Sequence, residues 1–142
     1  VGTNKIAKKH VLDLLPDRKV FDTPKPEQLI KRIFDIATNE GDLILDAYLG
    51  SGTTTAVAHK MNRDYIGIEI GKHAIDYIVP RMNKVVDGEE GGISREIGWS
   101  GGGGFSFYQL TKAKRSNVVD LQSNQRASGK KDKENVSIST LG

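Results

Sequence analysis

The chain has 142 residues, room for one domain at most, and its 37% hydrophobic content is low for a self-sufficient body of that size. Its net charge of +3 is uneven: residues 1–110 hold 14 Lys/Arg against 15 Asp/Glu and residues 111–142 hold 7 against 3, so the basic balance describes the tail and does not by itself indicate a nucleic-acid-binding face. The lack of cysteine excludes disulfides and thiolate metal sites, while no apolar run approaches the roughly 20 residues of a membrane span and no signal-peptide pattern opens the chain.

Residues 1–20 begin with Lys5, Lys8 and Lys9, continue into Val11-Leu12-Asp13-Leu14-Leu15-Pro16, and read as irregular or as a short helix. Pro24 and Pro26 hold the next segment extended, because the residue before each proline is driven out of the helical region. Pro26 suits the first position of a helix and Glu27 its first turn. Leu29, Ile30, Ile33, Phe34 and Ala37 then form one apolar helical face running to about Thr38. Leu43 to Leu49 is nearly all apolar, the pattern of a central strand covered on both faces. A helix from about Thr53 to Met61 has small or apolar residues on most sides and is expected to be buried. Tyr65 to Ile70 is the second strand. Ile75, Ile78, Val79 and Met82 recur at helical spacing from about Lys72 to Lys84, with Pro80 expected to kink or fray that helix.

The alternation of strand and helix predicts an α/β fold with a mostly parallel sheet. Asp87 to Gly92 reads as a loop. Gly101 to Gly104 is either a flexible linker or the approach to a short strand beginning at Phe105, and the flanking aromatics favour the strand. From Thr111 onward polar residues dominate, the composition of a disordered tail.

The chemistry concentrates between residues 45 and 71. A strand ends in Asp46, a turn containing Gly50 and Gly52 follows, Thr53 and Thr54 open a helix, and a second strand ends in Glu69. Such a turn lets a ligand approach the backbone, and a helix N-terminus offers free N–H groups with a partial positive charge. An acid at the end of the second strand can accept hydrogen bonds from both ribose hydroxyls. Together these features describe a nucleoside-cofactor pocket. The dinucleotide fingerprint requires a glycine or alanine where Thr55 stands, and the phosphate loop ending in Gly-Lys-Ser/Thr is absent. S-adenosylmethionine fits better on charge grounds, with Asp46 for its ammonium and the N–H groups near Gly50 to Thr54 for polar atoms of its methionine part.

The segment Asp46-Ala47-Tyr48-Leu49-Gly50-Ser51-Gly52-Thr53-Thr54 resembles the Asp-Pro-Phe-x-Gly-Ser-Gly-Thr-Thr motif of amino-group DNA methyltransferases, which modify N6 of adenine or N4 of cytosine. Arg63-Asp64-Tyr65-Ile66-Gly67-Ile68-Glu69 looks like their second-strand motif. Phe21-Asp22-Thr23-Pro24-Lys25-Pro26-Glu27 resembles their Thr-x-Lys-Pro segment. Ile97 to Leu110 is similar to the end of methylation subunits of type III restriction–modification systems. Ala47 and Tyr48 depart mildly from the usual Pro and Phe.

The resemblance implies part of a Rossmann-like S-adenosylmethionine-dependent methyltransferase fold. Asp46 would bind the methionine ammonium, with Gly50, Ser51, Gly52, Thr53 and Thr54 lining that moiety and Tyr48 in the same motif. Glu69 would hold the ribose, Ile70 the adenine ring, and Thr23, Lys25 and Pro26 the lid, with Phe21 of the same segment among the cofactor-binding residues. The implied reaction is methyl transfer to an exocyclic base amine, with adenine N6 the expected target. DNA would be engaged through a part outside this chain, and a restriction subunit and a second copy are the other implied partners. The implied setting is the cytoplasm of a prokaryote.

The family's Asp/Asn-Pro-Pro-Tyr/Phe loop occurs nowhere in the chain, so no residue takes the catalytic role. The chain also starts at Val1. The expectation is therefore a C-terminal fragment: an N-terminal segment (1–20), a cofactor-binding part (21–110) and a basic tail (111–142). Two other readings stay open, a non-catalytic cofactor-binding or assembly module and a piece of a nicotinamide-dependent oxidoreductase. His10, His59 and His73 show no metal-ligand spacing and read as surface or packing residues. Ser51 lacks the Gly-x-Ser-x-Gly frame of a nucleophile elbow.

Overall fold

The computed structural model describes residues 2–19, 21–110 and 121–123. They fall into two units, Val1–Gly103 and Gly104–Gly142. In the first unit, α1 (Asn4–Leu14) takes the helical option that the sequence leaves open. Thr3 caps it by accepting from the Ile6 amide at 3.4 Å. Val11 and Leu15 then pack with Tyr77, and Leu14 and Phe21 border that cluster. The chain leaves Pro26 in an extended conformation, as the prolines predict, and enters α2 (Glu27–Ala37) with Pro26 as its N-cap, one residue before the first helical position expected of it. Thr38 closes α2, its hydroxyl donating to the Phe34 carbonyl at 2.9 Å.

Strand β1 (Leu43–Asp46) pairs in parallel with β2 (Asp64–Gly67), and α3 (Thr53–Lys60) makes the crossover. The register sets Ile44 beside Tyr65 and Leu45 beside Ile66. Ile44 and Tyr65 face the helices, where they border a core of Phe34, Val57, Ala58 and Ile93. On that side Gly67 is required by close approach, because a Cβ there would run into the Leu49 side chain and lie 2.9 Å from Thr55 Cγ2. Two backbone bonds continue past the ladder, Ile68 N to Asp46 O at 2.8 Å and Leu49 N to Ile68 O at 3.0 Å.

The expectation that Leu43 to Leu49 is covered on both faces is not met. Leu43 and Leu45 are 63% and 65% exposed, and Ile66 and Ile68 are also exposed. The period-2 alternation sends these side chains away from the helices, and among the described residues nothing covers them. The regular strand segments are also shorter than the apolar runs, which continue to Leu49 and Ile70.

The helix expected from Lys72 to Lys84 divides in two. Ala74–Ile78 forms a π-helical turn, and α4 (Val79–Val86) follows. Pro80 is the physical reason: it has no N–H to give to the carbonyl of Asp76 and would crowd it. The bonding shifts instead, and the Val79 amide reaches back five residues to Ala74 O. The helix widens where a kink or fray is expected.

A short α5 (Ser94–Ile97), which the sequence reading places in no element, brings Ile93 into the core. Gly101 to Gly103 does not behave as a free linker: Gly102 N donates to Val86 O at 2.9 Å, and Gly102 O accepts from His59 Nε2 at 2.9 Å. In the second unit, β3 (Tyr108–Leu110) pairs antiparallel with β4 (Leu121–Ser123), starting later than the expected Phe105. The expected disordered tail over 111–142 lies outside the described residues, apart from Leu121–Ser123. Among the described residues no helix is long and apolar enough to cross a membrane.

The two faces of the sheet predict contrasting substitutions. Phe34→Ala, in the closed core, is expected to cost about 3–5 kcal/mol in urea unfolding. Leu45→Ser, on the bare face, is expected to stay within about 0.5 kcal/mol while reducing self-association in analytical ultracentrifugation.

Candidate functional site

Parallel pairing of β1 and β2 carries both strand-end acids to the same edge of the sheet, where the Gly50–Gly52 turn emerges. Gly50 and Gly52 have φ of 60° and 80°, in the left-handed region that glycine occupies without strain. A Cβ on Gly52 would touch Ile78 of the π-turn at 3.4 Å, so the turn also lies close over that element. Gly52 caps α3 with no side-chain hydrogen bond, and the first N–H groups of a helix have no intrahelical acceptor.

Both acids are already partnered. Asp46 Oδ2 accepts from Thr54 Oγ1 at 2.6 Å, and its Oδ1 accepts from the Tyr48 amide at 3.0 Å. Glu69 Oε2 accepts from the Gly50 amide at 2.6 Å, and its Oε1 from the Ile70 amide at 3.2 Å. The second-strand acid thus ties directly to the turn that follows the first strand. His73 Nδ1 lies 3.6 Å from Glu69 Oε1, and its ring meets Phe21 and Tyr77 edge-on.

Of the other sequence candidates, Phe21 comes to the turn: its Cζ would lie 3.4 Å from a Cβ at Gly50. Lys25 joins through its backbone, its carbonyl accepting from Thr53 Oγ1 at 3.1 Å. Pro26 is buried ahead of α2, whereas the Thr23 and Lys25 side chains face solvent. Tyr48 and Ile70 are 93% and 85% exposed. Ser51 and Thr53 are buried, with their hydroxyls 3.2 Å apart. Their side chains are thus engaged inside the protein.

Beneath the turn lies a group of charges that the sequence reading does not assemble. Glu27 is fully buried and accepts from Arg81 Nη2 at 2.8 Å, from Lys60 Nζ at 2.8 Å and from the Ile93 amide at 3.1 Å. Lys60 also donates to Glu89, and Gly91 N donates to the same carboxylate at 2.6 Å. His10 Nε2 is 3.4 Å from Glu89 Oε2. Burial pulls the Glu27 carboxyl upward, but Arg81, then Lys60 and His10, outweigh it and hold the group below its ordinary range. Glu89 is likewise pulled up by burial, and hydrogen bonds from His10 and Lys60 bring it down to about 2.

His10, Glu27 and Glu89 offer ligand atoms within 4.8 Å of one another. The Lys60 ammonium already bonds both carboxylates there and neutralises much of their charge. A signal for this group exists in the sequence. Lys60 ends a helix otherwise rich in small residues, and Arg81 stands three residues after Ile78 and next to Met82, on a helix with apolar residues at helical spacing.

A family model described as DNA methylase (N6_N4_Mtase) matches residues 2–80, more than half of the chain. The chain belongs to this DNA methylase family. Within it, the chain is 57% identical over 86 residues to the "Probable type III restriction-modification enzyme HindVI Mod subunit" of Haemophilus influenzae, covering 61% of this chain and 12% of that protein. It is 39% identical over 79 residues to the type II methyltransferase M.HpaI of Haemophilus parainfluenzae, covering 56% of this chain and 25% of the relative. It is 44% identical over 54 residues to the type II methyltransferase M1.MboII of Moraxella bovis, covering 38% and 21%. The chain therefore spans a quarter or less of the length of these relatives.

The charged group gives this DNA methylase chain a definite acid response. Glu27 and Glu89 both ionise more readily folded than unfolded; the Glu89 contribution is complete above the ordinary carboxyl value near 4.5 and is lost as pH falls toward about 2, and Glu27 acts in the same direction. Urea unfolding at stepped pH is expected to show stability falling across that window. Glu89→Gln is expected to cost on the order of 3 kcal/mol at neutral pH and to flatten the acid slope.

Proposed function

We propose that this chain is the S-adenosylmethionine-binding part of a site-specific DNA amino-methyltransferase with a Rossmann-like fold. The observation that carries the reading is the bond from the Gly50 amide to Glu69, which gathers the turn, the uncapped start of α3 and both strand-end acids at one sheet edge. That donor set suits a ligand with an ammonium, a carboxylate and a ribose. Asp46 would hold the ammonium, and the backbone of Ser51, Thr53 and Thr54 would meet polar atoms of the methionine part. Glu69 would accept from the ribose hydroxyls while keeping its bond to Gly50. Phe21 would border the turn, Tyr48 and Ile70 would offer exposed apolar surface for the adenine ring, and Thr23, Lys25 and Pro26 would form the lid.

When bound, the cofactor supplies an electrophilic methyl group on sulfonium. The protein's part in such a transfer is orientation and electrostatic environment more than proton transfer. A target base would be extruded from DNA to reach the methyl, with adenine N6 the expected acceptor. The group that would hold the amine is not among these 142 residues, which contain no Pro-Pro pair. The rest of a full-length methyltransferase would supply it together with the DNA contacts. The similarity to a Mod subunit extends the proposal to a restriction subunit and a second copy as partners, in the cytoplasm of a prokaryote.

Calorimetry with S-adenosylmethionine and with a nicotinamide dinucleotide tests the cofactor; binding of the dinucleotide alone would overturn the reading. Glu69→Ala is expected to weaken S-adenosylmethionine by more than about tenfold, since each hydrogen bond to a charged group is worth about 1.5–3 kcal/mol. Because Glu69 also braces Gly50, a 2′-deoxyribose analogue separates the two roles: it should lose less than the parent ligand on mutation. With tritiated cofactor and mixed-sequence DNA, the 142-residue chain is expected to incorporate no label.

A further inference from the structure

The cofactor reading gives no part to the guanidinium beneath the turn. Arg81 is 2% exposed, and its fork reaches two separate segments. Nη2 donates to Glu27 Oε1 at 2.8 Å, while Nη1 donates to Ser51 O at 3.3 Å and to Thr53 Oγ1 at 3.0 Å. The Thr53 hydroxyl has a single proton, which it gives to Lys25 O. The Ser51 hydroxyl must then be the donor in the contact between the two side chains. The Thr53 oxygen is therefore the point where Arg81, the turn and the Thr23–Pro26 strip meet.

A turn with two glycines at positive φ has little stiffness of its own, so the direction of its amides depends on what grips its carbonyls and side chains. The grip here is planar and braced from behind, because Glu27 is also held by Lys60 and by the Ile93 amide. A lysine at position 81 could not reproduce it, having a point charge on a flexible stem in place of a rigid fork.

We propose that Arg81 is the positioning residue of the cofactor turn, fixing the amides of Ser51 to Thr54 through the Thr53 hydroxyl and the Ser51 carbonyl. This rests on the S-adenosylmethionine reading above. Arg81 touches no ligand in this role; it sets the geometry that the ligand meets. The π-turn before Pro80 contributes by seating Ile78 against Gly52 and Arg81, one helical step on, below Thr53.

The test compares Thr53→Ser, Thr53→Val, Arg81→Lys and the Thr53→Val/Arg81→Lys pair in the 142-residue chain. S-adenosylmethionine affinity is read by calorimetry below each variant's melting temperature, and thermal melts are taken alongside. Thr53→Ser keeps the shared oxygen and is expected to recover most of the affinity that Thr53→Val loses. Thr53→Val keeps the shape and the Arg81–Glu27 pair, and is expected to bind about tenfold more weakly. The double variant is expected to be no weaker than its weaker single, the signature of one shared interaction. If Arg81→Lys does not fold, the two Thr53 variants decide alone. Equal affinity for Thr53→Val and Thr53→Ser, or multiplied losses in the double variant, overturns the role of Arg81 and leaves the cofactor reading standing. A parent chain that binds no S-adenosylmethionine overturns both.

Discussion

The first unit depends on a buried balance of charge. Glu27 is withdrawn from water at the start of α2, and an isolated carboxylate there would carry a large desolvation cost. Arg81 from α4 and Lys60 from α3 offset it, and Lys60 is shared with Glu89 from the loop after α4. Two acids and two bases from four parts of the chain must therefore arrive together. Such a group adds less net stability than its bond count suggests, since each ion loses its hydration. Its effect is on arrangement: any packing of α2, α3 and α4 that separates these groups leaves a bare charge inside. In the cluster of His10, Glu27 and Glu89 the Lys60 ammonium bonds both carboxylates and supplies the balancing positive charge.

From that base the candidate site is built upward. Arg81 grips the underside of the turn, and Glu69 holds its opening amide from the other end. The turn is fastened on two sides while the first amides of α3 stay uncapped. The turn's backbone and buried hydroxyls are thereby fixed in place, and groups fixed in advance lose little freedom when a ligand binds. On the sheet's opposite face the reverse holds. Leu43, Leu45, Ile66 and Ile68 form apolar surface with no cover among the described residues, although parallel sheets are stable when both faces are buried.

Local pattern determined much of this protein. The proline pair set the start of α2, Gly50 and Gly52 marked the turn, and alternating strand and helix gave the parallel β1–α3–β2 unit, because each rests on backbone rules acting within a few residues. The motifs in residues 21 to 71 also pointed to the DNA methylase family, which the match over residues 2–80 shows. Tertiary structure decided the rest. An apolar run such as Leu43 to Leu49 reports what a strand can bury, but whether both faces find a partner depends on elements distant in sequence. Pro80 announced a disturbed helix, but that the disturbance takes the form of a π-turn, with Ile78 against Gly52, is visible only in the folded chain. The pairings of Glu27 with Lys60 and Arg81, and of Lys60 with Glu89, join residues 29 to 54 positions apart. No local rule reaches that far; a buried charge finds its partner only when the chain has closed around it.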